Sequence, residues 1–284
     1  MDWIKWTGII VGVLSAAALA VEAIGVWRWS NTTRTLIANL YNSAVAEKDF
    51  PYNELELTNL PAPVQRYFRA ALKEGQPIIK SARFSHAGTF NMSEAKPSWK
   101  PFTSNQEVVV NRPGFVWDAR VQMLPTIPVY VHDAYVAGEG ALQASVLGLV
   151  DVANVRNTPE MAQGELLRFL AETPLYPTSL LPRHDVRWKE IDDKSAQIIL
   201  TDKDLQVTMT FAFNQSGLID TVWAAARGRV NGKTFEYMPW QGHFWNYAAR
   251  DGMMVPLEAE VAWLPPEGPK PYYLSKLTSI SFEY

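Results

Sequence analysis

The 284-residue chain is long enough for one large domain or two small ones, because a single hydrophobic core stops growing at about 250–300 residues. Apolar residues make up 48 % and charged residues 19 %, which excludes an intrinsically disordered protein. The 26 basic and 29 acidic residues give a net charge of −3, so no nucleic-acid partner is expected. The absence of cysteine excludes disulfides and thiolate chemistry.

The first predicted element is an apolar segment long enough to cross a membrane. Residues 6–27 contain one charged residue, Glu22, and tryptophans occupy positions 3, 6, 27 and 29 at the two ends. A helix of this length spans the roughly 30 Å hydrocarbon core of a bilayer, and tryptophan is typical of the membrane interface. We therefore expect residues 1–29 to form a single-pass anchor in a membrane.

A cleaved signal peptide is the alternative for this segment. Lys5 resembles the charged start of such a peptide, and residues 18–20 (Ala-Leu-Ala) resemble a cleavage site. The apolar run continues to Trp27, beyond that site, which favours the retained anchor. Basic residues are nearly balanced on the two sides, so orientation is poorly determined, and the extracytoplasmic face is the side predicted for the soluble part.

Two helices are predicted after the anchor. Residues 30–54 indicate a juxtamembrane helix and linker, with Leu36 and Leu40 at helical spacing. Residues 60–72 indicate a second helix that has proline in its first turn. Its apolar residues recur at helical spacing, so this helix is expected to pack on the main domain.

From residue 81 to the C-terminus, apolar and polar residues mostly alternate, which is typical of strands with one buried face. Strands are predicted over residues 81–92, 104–111, 114–123, 129–136, 186–191, 196–200, 205–213, 218–230, 234–239, 244–248, 255–263 and 274–284. The clearest turn signal between them is Asn231-Gly232, since both residues accept positive φ. Many short strands joined by tight turns predict an antiparallel meander.

One interruption, over about residues 140–182, is predicted to be a helical insert. Leu142, Val146 and Leu149 suggest a short helix, and residues 159–170 form an amphipathic pattern that begins at Thr158. The predicted fold is α+β and mainly β: a curled antiparallel sheet resembling an unclosed barrel, with a helical insert, preceded by a single N-terminal transmembrane helix. Residues 55–284 form its single β-rich domain.

The predicted strands carry more apolar side chains than the few short helices can cover. Over residues 114–123, for example, Phe115, Trp117 and Ala119 alternate with polar residues. A curled sheet of this kind can enclose a cavity for a lipid-like ligand, although ordinary core packing is the simpler interpretation of any single residue.

Polar and aromatic residues that could contact such a ligand occur at a few places. Arg168 and Glu172 form either an ordinary helical ion pair or a clamp for a polar headgroup. The aromatic residues between Trp240 and Tyr247 have three alternative roles: they could line the mouth of a cavity, contact the bilayer interface or pack in the core. The candidate ligand-binding residues are Trp117, Arg120, Tyr135, Arg168, Glu172, Trp240 and Tyr247.

The sequence contains no motif for a nucleophilic serine, a phosphate loop, a dinucleotide or a zinc site, and no metal or cofactor is expected. The best acidic group is Asp118 and Asp133 on successive strands, with Glu139 nearby. If these strands pair, the first two carboxylates could act on a bond between them, as in glycosidases. The simpler alternative is an ion pair between Asp118 and Arg120, with Asp133 capping a turn.

Four motifs together resemble a bacterial membrane-tethered family known only as a domain of unknown function. They are residues 60–67 (LPAPVQRY), 113–120 (PGFVWDAR), 133–140 (DAYVAGEG) and 239–242 (PWQG). The resemblance runs from about residue 55 to the C-terminus and implies no catalytic residue.

Two further features belong to this resemblance. Residues 168–172 and 177–182 are also similar to the family pattern, but Leu175 stands where a tryptophan is expected, which implies an altered pocket if that tryptophan lines one. More loosely, the order of strands, helical insert and strands is similar to the lipoprotein-carrier fold, an unclosed barrel that shelters acyl chains.

The sequence therefore predicts a non-enzymatic, membrane-anchored protein that binds a lipid-like or other apolar ligand, or docks a membrane partner. A hydrolase that uses Asp118 and Asp133 is one alternative. An assembly or scaffold factor for a membrane complex is another, and the sequence does not decide between it and the ligand-binding protein.

Overall fold

The computed structural model describes residues 2–45, 50–93, 96–124, 127–231 and 234–284. Its first element is one continuous helix, α1 (Asp2–Ser43). The predicted anchor, residues 1–29, and the predicted juxtamembrane helix after it belong to this one helix, because no proline or glycine interrupts it between residues 26 and 43. Among the described helices, α1 is the one long and apolar enough to cross a membrane.

Two shorter helices lie where the sequence predicts them. Helix α2 (Ala62–Ala71) has proline in its first turn, where the absent N–H removes no hydrogen bond. Helix α3 (Pro159–Ala171) begins after Thr158, whose side-chain oxygen accepts a hydrogen bond from the backbone N–H of Met161 at 3.2 Å. Short 3-10 turns occupy Glu54–Leu57, Thr173–Leu175 and Pro177–Leu180.

The described strands form one antiparallel sheet of 13 strands. In chain order they are β1 (Ser81–Asn91), β2 (Trp99–Val109), β3 (Gly114–Leu124), β4 (Ile127–Val136), β5 (Glu139–Val146), β6 (Val150–Arg156), β7 (Val186–Asp192), β8 (Ser195–Asp202), β9 (Leu205–Phe213), β10 (Ile219–Asn231), β11 (Thr234–Arg250), β12 (Met253–Trp263) and β13 (Lys270–Glu283). Strands β1 and β13 pair in the middle of the sheet, while β6 and β7 are its two edges. The sheet is therefore not closed, which confirms the predicted fold class.

The first half of the predicted helical insert is a pair of strands. The prediction of a short helix around Leu142 and Leu149 is wrong, since this segment forms β5 and β6. Its apolar spacing fits a helix, but positive φ at Gly138 and Gly148 places turns at both ends of β5, and pairing with β4 stabilises the strand. The helical insert therefore begins at Pro159.

Strand β11 takes the place of two predicted strands, because Pro239 does not end it. Between Ala224 and Arg227, β10 has an extra residue opposite Pro239. The missing N–H of the proline thus falls at a β-bulge, where the ladder has no regular hydrogen bond. Strands β10 and β11 pair as predicted, but the turn of the Asn231-Gly232 hairpin lies outside the described residues.

The main core lies on one face of the sheet, here called the inner face. Trp117 of β3 and Phe211 of β9 pack there with Phe68 of α2 and Leu167 of α3. The alternation predicted for residues 114–123 is confirmed, because the apolar positions of β3 point to this core. The helices and the sheet therefore bury one continuous apolar interior.

The opposite, outer face is covered in part by the C-terminal half of α1. Leu40 packs there with Val109, Val116 and Ala134 in a second, smaller core. Residues 6–24 of the same helix are exposed. Helix α1 is therefore docked on the sheet over only half of its length.

Candidate functional site

A cavity of about 580 Å³, here called the inner cavity, opens between α3 and the inner face of the sheet. Apolar side chains make up much of its wall, among them Phe90, Trp99, Leu142, Met161 and Trp263. A pocket of about 120 Å³ adjoins it. The two spaces share four lining residues, namely Phe90, Asp133, Arg227 and Tyr272.

The inner cavity lies at one end of the sheet, here called the mouth end. Met92 and Pro97, between β1 and β2, line it together with Pro269, between β12 and β13. In an antiparallel meander the turn between β5 and β6 lies at this same end. Gly25 of α1 contacts Leu147 in that turn, so the exposed half of α1 leaves the sheet at the mouth end.

A cluster of charged side chains, centred on Arg168 of α3, lies in the adjoining pocket and meets the inner cavity at Asp133. The Arg168 Nη1 lies 2.5 Å from Oδ2 of Asp133 on β4, and its Nε lies 2.9 Å from Oε1 of Glu172. The guanidinium lies over the rings of Trp117 at 4.7 Å and Phe115 at 5.1 Å. Arg168 is thus neutralised by two carboxylates and fixed by two aromatic faces.

Side chains from β1 and β2 extend this cluster. Gln106 Nε2 donates a hydrogen bond of 2.5 Å to Oε2 of Glu172. His86 lies next to it in the adjoining pocket. Burial lowers the pKa of His86 to about 4, so its ring is neutral at physiological pH.

Arg227 of β10 is the second cation of the site. Its guanidinium lies 5.0 Å from the ring centre of Trp240 and 5.9 Å from that of Trp263. Arg227 Nη1 donates to the hydroxyl of Tyr272 at 3.3 Å, and that hydroxyl also accepts a hydrogen bond of 2.9 Å from Trp240 Nε1. Two indole faces thus hold Arg227 in place.

Glu165 of α3 is a buried acid in the cavity wall, with 5 % of its surface exposed. Burial and the negative charge of Asp133 raise the pKa of Glu165 to about 8, so it carries a proton at neutral pH. Three buried atoms that belong to cavity-lining residues have no hydrogen-bond partner among the described residues: Glu165 Oε2, Asp133 Oδ1 and Arg227 Nε. Buried polar groups are normally paired, so these atoms are available to a ligand or to water.

Four of the predicted ligand-binding residues line the adjoining pocket: Trp117, Arg168, Glu172 and Trp240. Leu175, at the position where a tryptophan was expected, lines it as well. The smaller leucine side chain leaves this pocket wider than a tryptophan would.

The other three predicted residues lie elsewhere. Arg120 is exposed on the outer face, where its guanidinium lies 5.7 Å from the ring centre of Tyr130. The hydroxyl of Tyr135 is buried and donates to Asp202 at 2.8 Å. Tyr247 donates to the carbonyl of Ile219 at 2.6 Å. The structure therefore does not bring these three side chains to the cavity.

The two-carboxylate prediction is wrong, because Asp118 and Asp133 lie on opposite faces of the sheet. The register pairs Trp117 with Asp133 on the inner face and Asp118 with His132 on the outer face. Glu139, the third predicted acid, is exposed at the start of β5 on the outer side. These acids do not form a hydrolytic site.

Asp118 instead holds α1 on the outer face. Its two carboxylate oxygens accept hydrogen bonds from Trp29 Nε1 at 2.9 Å and from Thr33 Oγ1 at 3.0 Å. The expected ion pair with Arg120 is replaced by these contacts. The ring of Trp29 also stacks on His132, with ring centres 3.9 Å apart.

Glu165 and Arg227 were missed by the sequence analysis. Glu165 follows Met161 by four residues, so an acid on the apolar face of a predicted helix was the available signal. Arg227 follows the bulge in β10. The bulge shifts which residues face the core, so the alternation of apolar and polar residues along the sequence does not show that Arg227 points inward.

Among the described residues, no group of three acidic or histidine side chains is placed to hold a metal ion.

Among the solved structures that are similar to this chain, two have 10 % sequence identity each. A LolA superfamily protein from Nitrosomonas europaea has a TM-score of 0.41, covering 78 % of this chain and 92 % of that one. A beta-barrel-like protein of domain of unknown function DUF1849 from Brucella abortus has a TM-score of 0.24, covering 73 % of this chain and 99 % of that one.

The sequence has no match among curated proteins. A family model covers residues 58–282, the region in which the four motifs lie. The chain therefore belongs to the family of unknown function DUF6920.

Proposed function

We propose that this protein is a membrane-anchored, non-enzymatic protein that binds a lipid-like amphiphile in the inner cavity. The observation that carries the proposal is the cavity itself, whose volume of about 580 Å³ lies within the range of about 300–1,000 Å³ typical of ligand sites. Its wall is largely apolar, and the adjoining pocket, which shares Asp133 and Arg227 with it, holds the charged cluster. An amphiphile fits this separation of apolar and charged surfaces, with its apolar chain against the wall and its polar end at the cluster.

The exposed half of α1 supports membrane anchoring. Residues 3–24 would span about 33 Å as a helix, close to the thickness of a bilayer's hydrocarbon core. Large apolar side chains such as Trp6, Leu14 and Leu19 are more than half exposed along it. Burial in lipid would remove this surface from water.

The position of the cavity supports binding from the membrane. The inner cavity and the exposed half of α1 share the mouth end of the sheet. A bilayer that contains residues 3–24 would therefore lie next to the opening. A ligand drawn from that bilayer would have a short path into the cavity.

A cavity-filling variant tests the proposal. Full-length protein purified in a mild non-ionic detergent is expected to carry a bound amphiphile, detected by lipid extraction and mass spectrometry. Leu142→Trp places a larger side chain in the wall of the inner cavity and should reduce the bound amount severalfold. Val150→Trp, at an exposed position on the edge strand β6, is the matched control and should retain it.

Two outcomes would count against the proposal. One is an empty wild-type protein, and the other is equal ligand content in Leu142→Trp and Val150→Trp. An empty cavity together with a stably co-purified membrane protein would favour the assembly or scaffold factor instead.

A further inference from the structure

Arg168, in the adjoining pocket, and Arg227, which lines both spaces, differ in their counterions. Arg168 makes ion pairs with both Asp133 and Glu172. Among the described residues, no carboxylate lies within ion-pair distance of Arg227. Of these two arginines, Arg168 is therefore neutralised and Arg227 has no direct counterion.

The surroundings of Arg227 leave part of its hydrogen-bonding edge free. Trp240 and Trp263 cover the faces of the guanidinium, and the Tyr272 hydroxyl accepts from Nη1. The side chain is 9 % exposed, and its Nε is buried without a partner. A buried cation without a hydrogen-bonded anion is costly, and a planar guanidinium is well suited to bind an oxyanion through its edge.

The neighbouring acids limit the charge that such an anion can carry. Glu165 is protonated at neutral pH, so its carboxyl group can donate a hydrogen bond. Two arginines, Arg168 and Arg227, and two carboxylates, Asp133 and Glu172, balance at the cluster, while Arg229, paired with Glu236 at 3.1 Å, and Lys270 also line the cavity wall. One added negative charge on the ligand would pair with Arg227. A second would be repelled by the unpartnered carboxylate oxygen of Asp133.

We infer that Arg227 binds the singly charged oxyanion at the end of an amphiphile, with the acyl chain along the apolar wall of the inner cavity. The inference rests on the proposed function and adds the chemical class of the ligand. A fatty-acid carboxylate and the phosphodiester of a lysophospholipid both supply this chemistry. An uncharged lipid of the same chain length should bind less well.

The test compares ligands that share a palmitoyl chain and differ in the charge and chemistry of the polar end. Palmitate, methyl palmitate and palmitoyl lysophosphatidylglycerol are measured by equilibrium dialysis against full-length protein, with the same non-ionic detergent in every arm. Wild-type protein should bind palmitate or the lysophospholipid about tenfold more tightly than methyl palmitate. The tighter of the two anions identifies the source of the oxyanion.

The variants assign this preference to Arg227. Arg227→Gln should bring the ratio of the affinities for palmitate and methyl palmitate, measured in the same variant, close to one, and Arg227→Lys should retain part of the preference. Arg120→Gln, on the outer face, is the matched control and should bind like wild type. Binding of methyl palmitate also reports that each variant is folded.

The outcomes separate the inference from the proposed function. Equal binding of palmitate, the lysophospholipid and methyl palmitate by wild-type protein would overturn the inference and leave the proposed function standing. An unchanged preference in Arg227→Gln would overturn it as well. Failure of all three probes to bind would overturn both.

Discussion

Glu165 is the residue whose protonation responds to pH near neutrality. Burial and Asp133 raise its pKa from 4.5 to about 8. The charged groups that face it are Asp133 on β4, Arg168 on α3, Glu172 directly after α3, and Arg227 on β10. Between these two pH values the folded protein keeps a proton that the unfolded chain has lost, so the free energy of unfolding falls as the pH rises.

The variant Glu165→Gln should remove this decrease in the free energy of unfolding with rising pH, because glutamine carries no titratable proton. Relative to wild type, its free energy of unfolding should rise by up to about 1.4 kcal/mol for each pH unit between about pH 4.5 and 8. Denaturant unfolding followed by circular dichroism near pH 5 and near pH 8 measures the difference. Glu190→Gln, at an exposed position on β7, controls for the loss of one carboxylate. The same gain at both pH values would show that Glu165 does not titrate as described.

At the scale of single residues, the sequence predicts part of the site. The spacing of Arg168 and Glu172 predicts their ion pair, and the alternation of β3 predicts that Trp117 faces the core. The partner of Arg168 on β4 depends on the register between β3 and β4, which no local pattern contains. Asp133 was consequently assigned to the wrong partner.

Helix α1 is the element that joins the exposed apolar segment to the sheet. Trp29 and Thr33 bind Asp118 on the outer face, and Gly25 lies against the turn between β5 and β6. A β-carbon at position 25 would overlap the backbone carbonyl of Leu147. Glycine at this position therefore sets how closely the helix approaches the sheet.

The variant Gly25→Ala should loosen the docking of α1. Because backbone atoms would have to move, we expect a loss of about 1–3 kcal/mol in the free energy of unfolding. Hydrogen exchange of residues 145–150 should become faster. Gly12→Ala is the matched control on the same helix, since no atom lies within 4 Å of a β-carbon there. Equal behaviour of the two variants would mean that the contact at Gly25 does not hold the helix.

The elements were predicted best where local and long-range preferences agree. The Thr158 cap and the following amphipathic run predict α3, and the structure confirms it. Leu142 and Leu149 have a spacing that favours a short helix, but pairing with β4 makes the segment a strand. Pro239 gives a breaker signal that the bulge in β10 overrides.

At the scale of the whole molecule, the sheet, α2, α3 and the docked half of α1 share their contacts, whereas residues 6–24 make almost none. The folded domain should therefore not depend on the exposed half of α1 for its stability. That segment should determine where the protein is found.

Removal of residues 1–24 should release the protein from membranes without unfolding it. The shortened chain is expected in the soluble fraction after alkaline extraction, with a thermal midpoint within about 2 °C of the full-length value, because Gly25 and the contacts after it remain. The full-length protein should stay with the membranes. An intact mass showing that native protein lacks residues 1–20 would instead favour a cleaved signal peptide.

The shared location of the cavity opening and the departing helix has a consequence for affinity. A receptor tethered beside a bilayer meets lipid at a high effective concentration, set by the tether rather than by the sparse monomer dissolved in water. Weak intrinsic binding with rapid release can then coexist with near-complete occupancy. High affinity of the protein for the lipid would therefore not be needed for occupancy, and exchange of the lipid with the bilayer would stay fast.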